Sequence, residues 1–175
     1  MHLYTFDENT NKNATLRVPN AKKSVYQADK YWDDFKSISG YSMIRGKNIN
    51  YLTTSKYRAE VTYSKEAKSR CTGQVKIPAK VHNYIKVNAI GDFAFSDCAK
   101  ITSVIIGPEV KTIGARAFEN CSRLRTIKCT ATTPPEITPD SFYGIPKRVK
   151  FFVPKASLPA YKKAPYWKNF SFSTY

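Results

Sequence analysis

Between residues 88 and 130 the apolar positions recur in one order at a fixed distance. Ile90, Gly91, Ala94, Phe95, Cys98, Ile101 and Val104 are followed 23 residues later by Ile113, Gly114, Ala117, Phe118, Cys121, Leu124 and Ile127. Seven coincidences at one offset mark an internal repeat. Within a unit, Val104-Ile105-Ile106 is β-branched and stopped by Gly107-Pro108, which predicts a short strand and a turn. From Gly91 to Cys98 the small or apolar residues Ala94, Phe95 and Cys98 keep a three-to-four rhythm, which predicts a brief helical coil, too short to stand alone. Gly91 and Gly114 are read as the residues that permit a tight change of direction. Such a unit has one apolar side it cannot bury by itself, so neighbours must stack and share a core, with the phenylalanines as an internal ladder.

The pattern reaches beyond two copies. Ile137 stands five residues before Phe142, as Ile90 stands before Phe95, with Ser141 in place of the alanine. VKIPAKV at 75–81 repeats the spacing of VIIGPEV at 104–110, which brings the count to between three and a half and four units. NINYLTTSKYRAEVTYS at 48–64 alternates around Tyr57, Ala59, Val61 and Tyr63 and predicts a β-hairpin that opens the stack. Tyr84-Ile85-Lys86-Val87 adds a strand before the first full unit, and Lys65 to Arg70 reads as a polar loop.

A second duplication is longer in range. Residues 15–35 match 150–170 at Val18/Val153, Pro19/Pro154, Ala21/Ala156, Tyr26/Tyr161, Tyr31/Tyr166, Trp32/Trp167 and Phe35/Phe170. Each copy predicts a strand ending in Val-Pro, a short amphipathic helix and a Tyr-Trp pair. Tyr161, Tyr166, Trp167 and Phe170 are therefore assigned to a cap over the open apolar end, which a terminal repeat needs in order to stay soluble. The fold class predicted is an α/β solenoid, a short stack of about 23-residue units with terminal caps. Segment 1–38 reads as the closing end of a preceding array, 39–47 as a linker containing Gly40 and Ser42, and 48–175 as the stack itself.

Composition narrows the function. The chain has 29 Lys and Arg against 13 Asp and Glu, and residues 121–175 hold ten basic side chains but only Glu136 and Asp140 as acids. Such a surplus permits contact with nucleic acid, anionic glycans or headgroups without choosing among them. No nucleic-acid motif accompanies it. No apolar run reaches the roughly 18 residues of a membrane helix, and MHLYTFDENTNK lacks a secretory pattern, so any export signal is expected upstream or already removed. Cys71, Cys98, Cys121 and Cys129 have no zinc spacing, and His2 and His82 stand alone. Cys98 and Cys121, at equivalent positions, are read as free buried thiols, with a disulfide between them as the alternative. Phosphate loops, metal motifs and a nucleophile with its base are missing, so neither enzyme, cofactor nor metal is expected.

The motifs VKIPAKV at 75–81, A-I-G-D-x-A-F-x-x-C at 89–98, ITSVIIGPEV at 101–110, T-I-G-x-R-A-F-E-N-C at 112–121, ATTPP at 131–135 and V-P-K-A-S…Y-W-K-N-F at 153–170 together resemble the BspA-like family of leucine-rich repeats. The resemblance covers 48–175, and 13–38 through the cap motif, and departs from the family at Gly107, where proline is usual. It implies a protein of the cell surface or extracellular space, adhesion or protein binding, and no catalytic residues. The expected function is a non-enzymatic binding module for a protein or an anionic polysaccharide, the alternative being a structural spacer of a larger surface protein. The expected binding residues are Thr102, Arg123, Arg125, Lys128, Lys147, Arg148 and Lys150, with Thr102, Arg125 and Lys128 placed outward by alternation. An exposed array end at 1–38 would allow two copies to pair as a homodimer.

Overall fold

The computed structural model describes residues 15–19, 37–41, 43–45, 49–55, 57–62 and 71–175, and it divides into Met1–Met43 and Ile44–Tyr175. In the first part, β1 (Thr15–Pro19) and β2 (Ser37–Tyr41) pair in parallel, with Val18 beside Gly40. The helix and Tyr-Trp pair predicted after Pro19 within 15–35 and the loop predicted over 65–70 lie outside the described residues. Ser39–Tyr41 and Met43–Arg45 (β3) are strand, so ordered pairing takes up part of the segment read as a linker.

The second part opens on the predicted hairpin, β4 (Asn50–Ser55) against β5 (Arg58–Thr62), antiparallel with Tyr51 opposite Val61. There follow β6 (Gly73–Lys76), β7 (Lys80–Val81), β8 (Ile85–Ile90), β9 (Ile101–Ile106), β10 (Thr112–Ile113), β11 (Thr126–Cys129), β12 (Glu136–Ile137), β13 (Lys150–Val153) and β14 (Phe172–Thr174). Among the described residues they form two sheets. One runs β12-β10-β8-β5-β4-β3 with β7 attached to β8, the other β14-β13-β11-β9-β6.

The registers carry the repeat. Val61, Ile90, Ile113 and Ile137 align across the first sheet, and Val75, Val104, Ile127 and Phe151 across the second. Successive partners are 29, 23 and 24 residues apart in both sheets, so each unit contributes one parallel strand to each. The longer first interval holds the β7–β8 hairpin, whose turn residues His82 and Asn83 have φ of 48° and 61°. Tyr84 belongs to that turn, and the strand predicted from it starts at Ile85.

The stretch read as a helical coil is instead a run of turns. Phe93, Asp97, Arg116 and Asn120 have positive φ, at positions 23 residues apart, and Gly144 continues the second series. A left-handed residue every fourth position breaks an i→i−4 ladder. The N–H groups of Ala94, Ser96 and Cys98 donate three residues back, while those of Phe93, Phe95 and Asp97 donate to Ala115, Ala117 and Glu119 of the next unit at 2.7–3.0 Å. Phe118 and Asn120 repeat this toward Ser141 and Tyr143. The turns thus form a third line of backbone bonding between units, which a helix closed on itself would not provide.

Inside, Phe95, Phe118 and Phe142 stack at 5.1 and 5.4 Å with nearly parallel rings. Ser141, which replaces the alanine of earlier copies, is fully buried and satisfied: its hydroxyl donates to the Ile113 carbonyl and accepts from the Thr138 N–H. The ladder ends on the cap. Helix α1 (Leu158–Lys163) carries Tyr161, which donates to the Ala131 carbonyl at 2.9 Å, and the Trp167 indole donates to that of Pro135 at 2.6 Å. The 131–135 segment therefore offers its carbonyls to the two cap aromatics. Phe170 packs on Phe142 and Phe151. Tyr166 departs from the expected cap: it is 43% exposed, because its φ of 61° turns the chain before Trp167 and leaves its own ring outside.

Gly91 and Gly114 also differ from expectation, since neither has positive φ. Their N–H groups donate to Val61 and Ile90 of the preceding unit at 2.8 Å. A Cβ on Gly91 would lie 2.9 Å from the Val61 oxygen, and one on Gly114 would lie 2.7 Å from the Asp92 nitrogen and against its carboxylate. They allow close approach of units, not a change of direction. Gly114→Ala must displace Asp92, whose carboxylate accepts the Ala115 N–H at 2.7 Å. Its expected cost is about 1–3 kcal/mol in urea denaturation, and an unchanged midpoint would refute the close-approach role.

Candidate functional site

Four of the seven expected binding residues come together. Thr102 near the start of β9, Arg123 and Arg125 just before β11, and Arg148 just before β13 line one depression of about 230 Å³ with Ser122, Leu124 and Pro146. Three successive units build it. The Arg125 N–H donates to the Thr102 carbonyl and the Arg125 carbonyl accepts from the Lys150 N–H, both at 2.9 Å, so the register of the second sheet sets the spacing of the side chains. Ser122 and Pro146 were not read from the sequence. Their equivalence, one unit apart at the same bend, was the available signal.

The other three lie apart from it. Lys147 is exposed and does not line the depression, and Lys150 stands on the outer face of the second sheet in the row of Gln74, Ser103 and Thr126. Lys128 occupies the adjacent row with Lys76, Ile105 and Phe152, and its Nζ lies 3.5 Å from the centre of the Tyr175 ring. The outward trio expected from alternation therefore divides: Thr126 and Lys128 are the outward residues of β11, because Arg125 precedes the strand and alternation does not apply to it.

The electrostatics of the depression follow from where the acids are. Asp140 binds Thr138 and Arg116, and these two partners hold its carboxyl below the usual carboxylate range. Glu119 meets Ser96 and Arg116, Glu109 meets Lys86 at 3.2 Å, Asp92 accepts from Ala115, and Asp97 accepts from Asn120. Glu136 lies in β12, on the other sheet. Among the described residues, Arg123, Arg125 and Arg148 have no ion-pair partner. A larger depression of about 640 Å³ beside Tyr57, Arg58 and Asn88 contains Lys86, whose charge is already matched by Glu109.

Two of the cysteines are poor nucleophiles by burial. Cys71, Cys98, Cys121 and Cys129 are buried thiols, and the disulfide alternative for Cys98 and Cys121 is not formed. Burial pushes the Cys121 thiol up to about 12, and Cys129, whose sulfur lies 3.0 Å from the Tyr161 hydroxyl oxygen, is also raised by burial. Thiols shifted this way stay protonated near neutrality. Among the described residues no group of three His, Cys, Asp or Glu side chains is placed to hold a metal ion, and no helix is long and apolar enough to cross a membrane.

Parallel strands in recurring register with a shared apolar interior define a stacked-repeat protein. The profile of the BspA type leucine rich repeat region matches residues 67–165 in six copies, more than half of the chain, and the chain belongs to that family. No curated protein matches it. Among solved structures, a leucine rich cell surface protein of Faecalibacterium prausnitzii A2-165 is similar at 17% identity and a TM-score of 0.40, over 78% of this chain and 31% of that one. This chain thus spans less than a third of that protein's length.

Proposed function

We propose that the chain is a non-enzymatic recognition module acting at a cell surface or outside the cell, with a protein or an anionic polysaccharide as partner. The observation that carries this reading is the group of arginines that two adjacent repeat units bring together beside Thr102 of a third, with no ion-pair partner among the described residues. Desolvating unmatched guanidinium groups is unfavourable inside a fold, so a fold that gathers them at its surface is suited to an external anion. Membership in a leucine-rich-repeat family supports a binding or scaffold role.

On this reading the fold is a short solenoid, in which 48–175 is one array closed by the Tyr161–Trp167 cap. Residues 1–38 are the closing end of another array, with the boundary inside 39–47. Parallel pairing of β1 with β2, like that of β13 with β14, supports the second assignment, and so does the division between Met43 and Ile44.

The test is binding of the purified chain to an array of matrix proteins and acidic glycans at two ionic strengths. Binding should occur and weaken steeply as salt approaches physiological strength, where the screening length falls to about 8 Å. Absence of binding across the whole array would favour the spacer, and salt-insensitive binding would remove the arginines from the account.

A further inference from the structure

Resting on that reading, we infer that the Arg123–Arg125–Arg148 depression is a site for a sulfate or phosphate ester carried on a polysaccharide. Its donors decide the anion. Three arginines from two neighbouring units line it together with Ser122 and with Thr102 of a third unit. A carboxylate presents two oxygens and is satisfied by one fork in bidentate geometry, whereas a tetrahedral ester presents three terminal oxygens in different directions. Three arginines and two hydroxyl-bearing residues offer more donors than one carboxylate accepts, which favours the second shape.

Its walls and backbone decide the carrier. A bound peptide draws on main-chain pairing at a free strand edge or on an aromatic or aliphatic anchor in a pocket. Here β9 and β11 are each paired on both sides, and the Arg125 N–H and carbonyl are already bonded to Thr102 and Lys150. Among the described residues, none of the exposed aromatics lines the depression. The same lack removes the stacking platform that a single-stranded nucleic acid uses. What remains is charge and hydroxyl recognition beside the apolar Leu124 and Pro146, in a space of about 230 Å³ suited to an ester group and the sugar ring that bears it.

The test uses fluorescence anisotropy of the full chain with a labelled, heparin-type sulfated octasaccharide, and phosphorylated oligomannose as a separate arm. The paired substitution Arg123→Ala with Arg148→Ala should weaken binding at least about tenfold, in line with the loss of charge-assisted forks. Lys162→Ala with Lys163→Ala removes the same charge from α1, outside the depression, and should change binding by less than about threefold. All four side chains are exposed, so an unchanged melting temperature is expected and is checked for each variant. The desulfated octasaccharide should bind at least about tenfold more weakly, and whichever ester arm binds tighter identifies the source.

Equal losses from the two paired variants would overturn the inference in favour of general charge attraction. Equal binding of the desulfated sugar, or equal competition by poly-glutamate, would overturn it as well. Absence of binding in both ester arms, with a matrix protein still captured on the array, would end this inference and leave the recognition module standing.

Discussion

Replacing Phe118 with alanine is expected to cost about 3–5 kcal/mol, the range for truncating a fully buried aromatic side chain. Phe118 is the middle rung of the ladder, 0% exposed, stacked on Phe95 at 5.1 Å and on Phe142 at 5.4 Å. The loss therefore falls on two unit–unit contacts at once. Its backbone also joins units, since the N–H donates to the Ser141 carbonyl at 2.9 Å, but that bond survives the substitution. Against a domain stability on the order of 5–15 kcal/mol this is a large fraction, and the denaturation midpoint should fall markedly. Phe118→Leu, which keeps most of the volume, should be milder. Chemical denaturation compares the two, and a midpoint for Phe118→Ala within error of the parent would mean that the units do not depend on a common interior.

Trp167→Ala is expected to have an effect of similar size, about 3–5 kcal/mol, with a second consequence. Trp167 is 1% exposed, packs against Phe142, Phe151, Tyr161 and Phe172, and donates its indole N–H to the Pro135 carbonyl. Its removal uncovers the last rung of the ladder. Exposed apolar ends of repeat arrays associate, so sedimentation should find concentration-dependent oligomers in the variant. Trp167→Phe separates the contributions: it keeps most of the packing, leaves the buried carbonyl without its donor and should cost about 1–3 kcal/mol. Equal stability of parent and Trp167→Ala would show that the end needs no cover.

Much of the fold is legible because one spacing governs two sheets. Ile90 and Ile113 in one sheet and Val104 and Ile127 in the other obey the same interval, so a single offset in the sequence fixes strand, register and ladder together. The turns are harder to read. Asp97, Asn120 and Gly144 are residue types that tolerate left-handed backbone and could have been recognised, but Phe93 and Arg116 do not advertise it. Nor does a glycine in sequence distinguish a bend from close contact, and Gly91 and Gly114 are contacts.

The site was legible in charge and not in grouping. Arg123, Arg125 and Arg148 stand out by type, yet only the register of β9, β11 and β13 brings Thr102 beside Arg125 and adds Ser122 and Pro146. Lys128 was drawn into the same group by its charge. It lies on the strand face, where alternation and the Tyr175 ring place it, one step beyond the depression.

The central claim is that adjacent units lie side by side and thereby bring distant basic residues into one site. Scalar couplings through hydrogen bonds, measured on the isotope-labelled chain, test it at the two backbone links that build the depression. The account predicts couplings from the Arg125 amide to the Thr102 carbonyl and from the Lys150 amide to the Arg125 carbonyl. Couplings confined to partners three or four residues apart over 98–151 would contradict it.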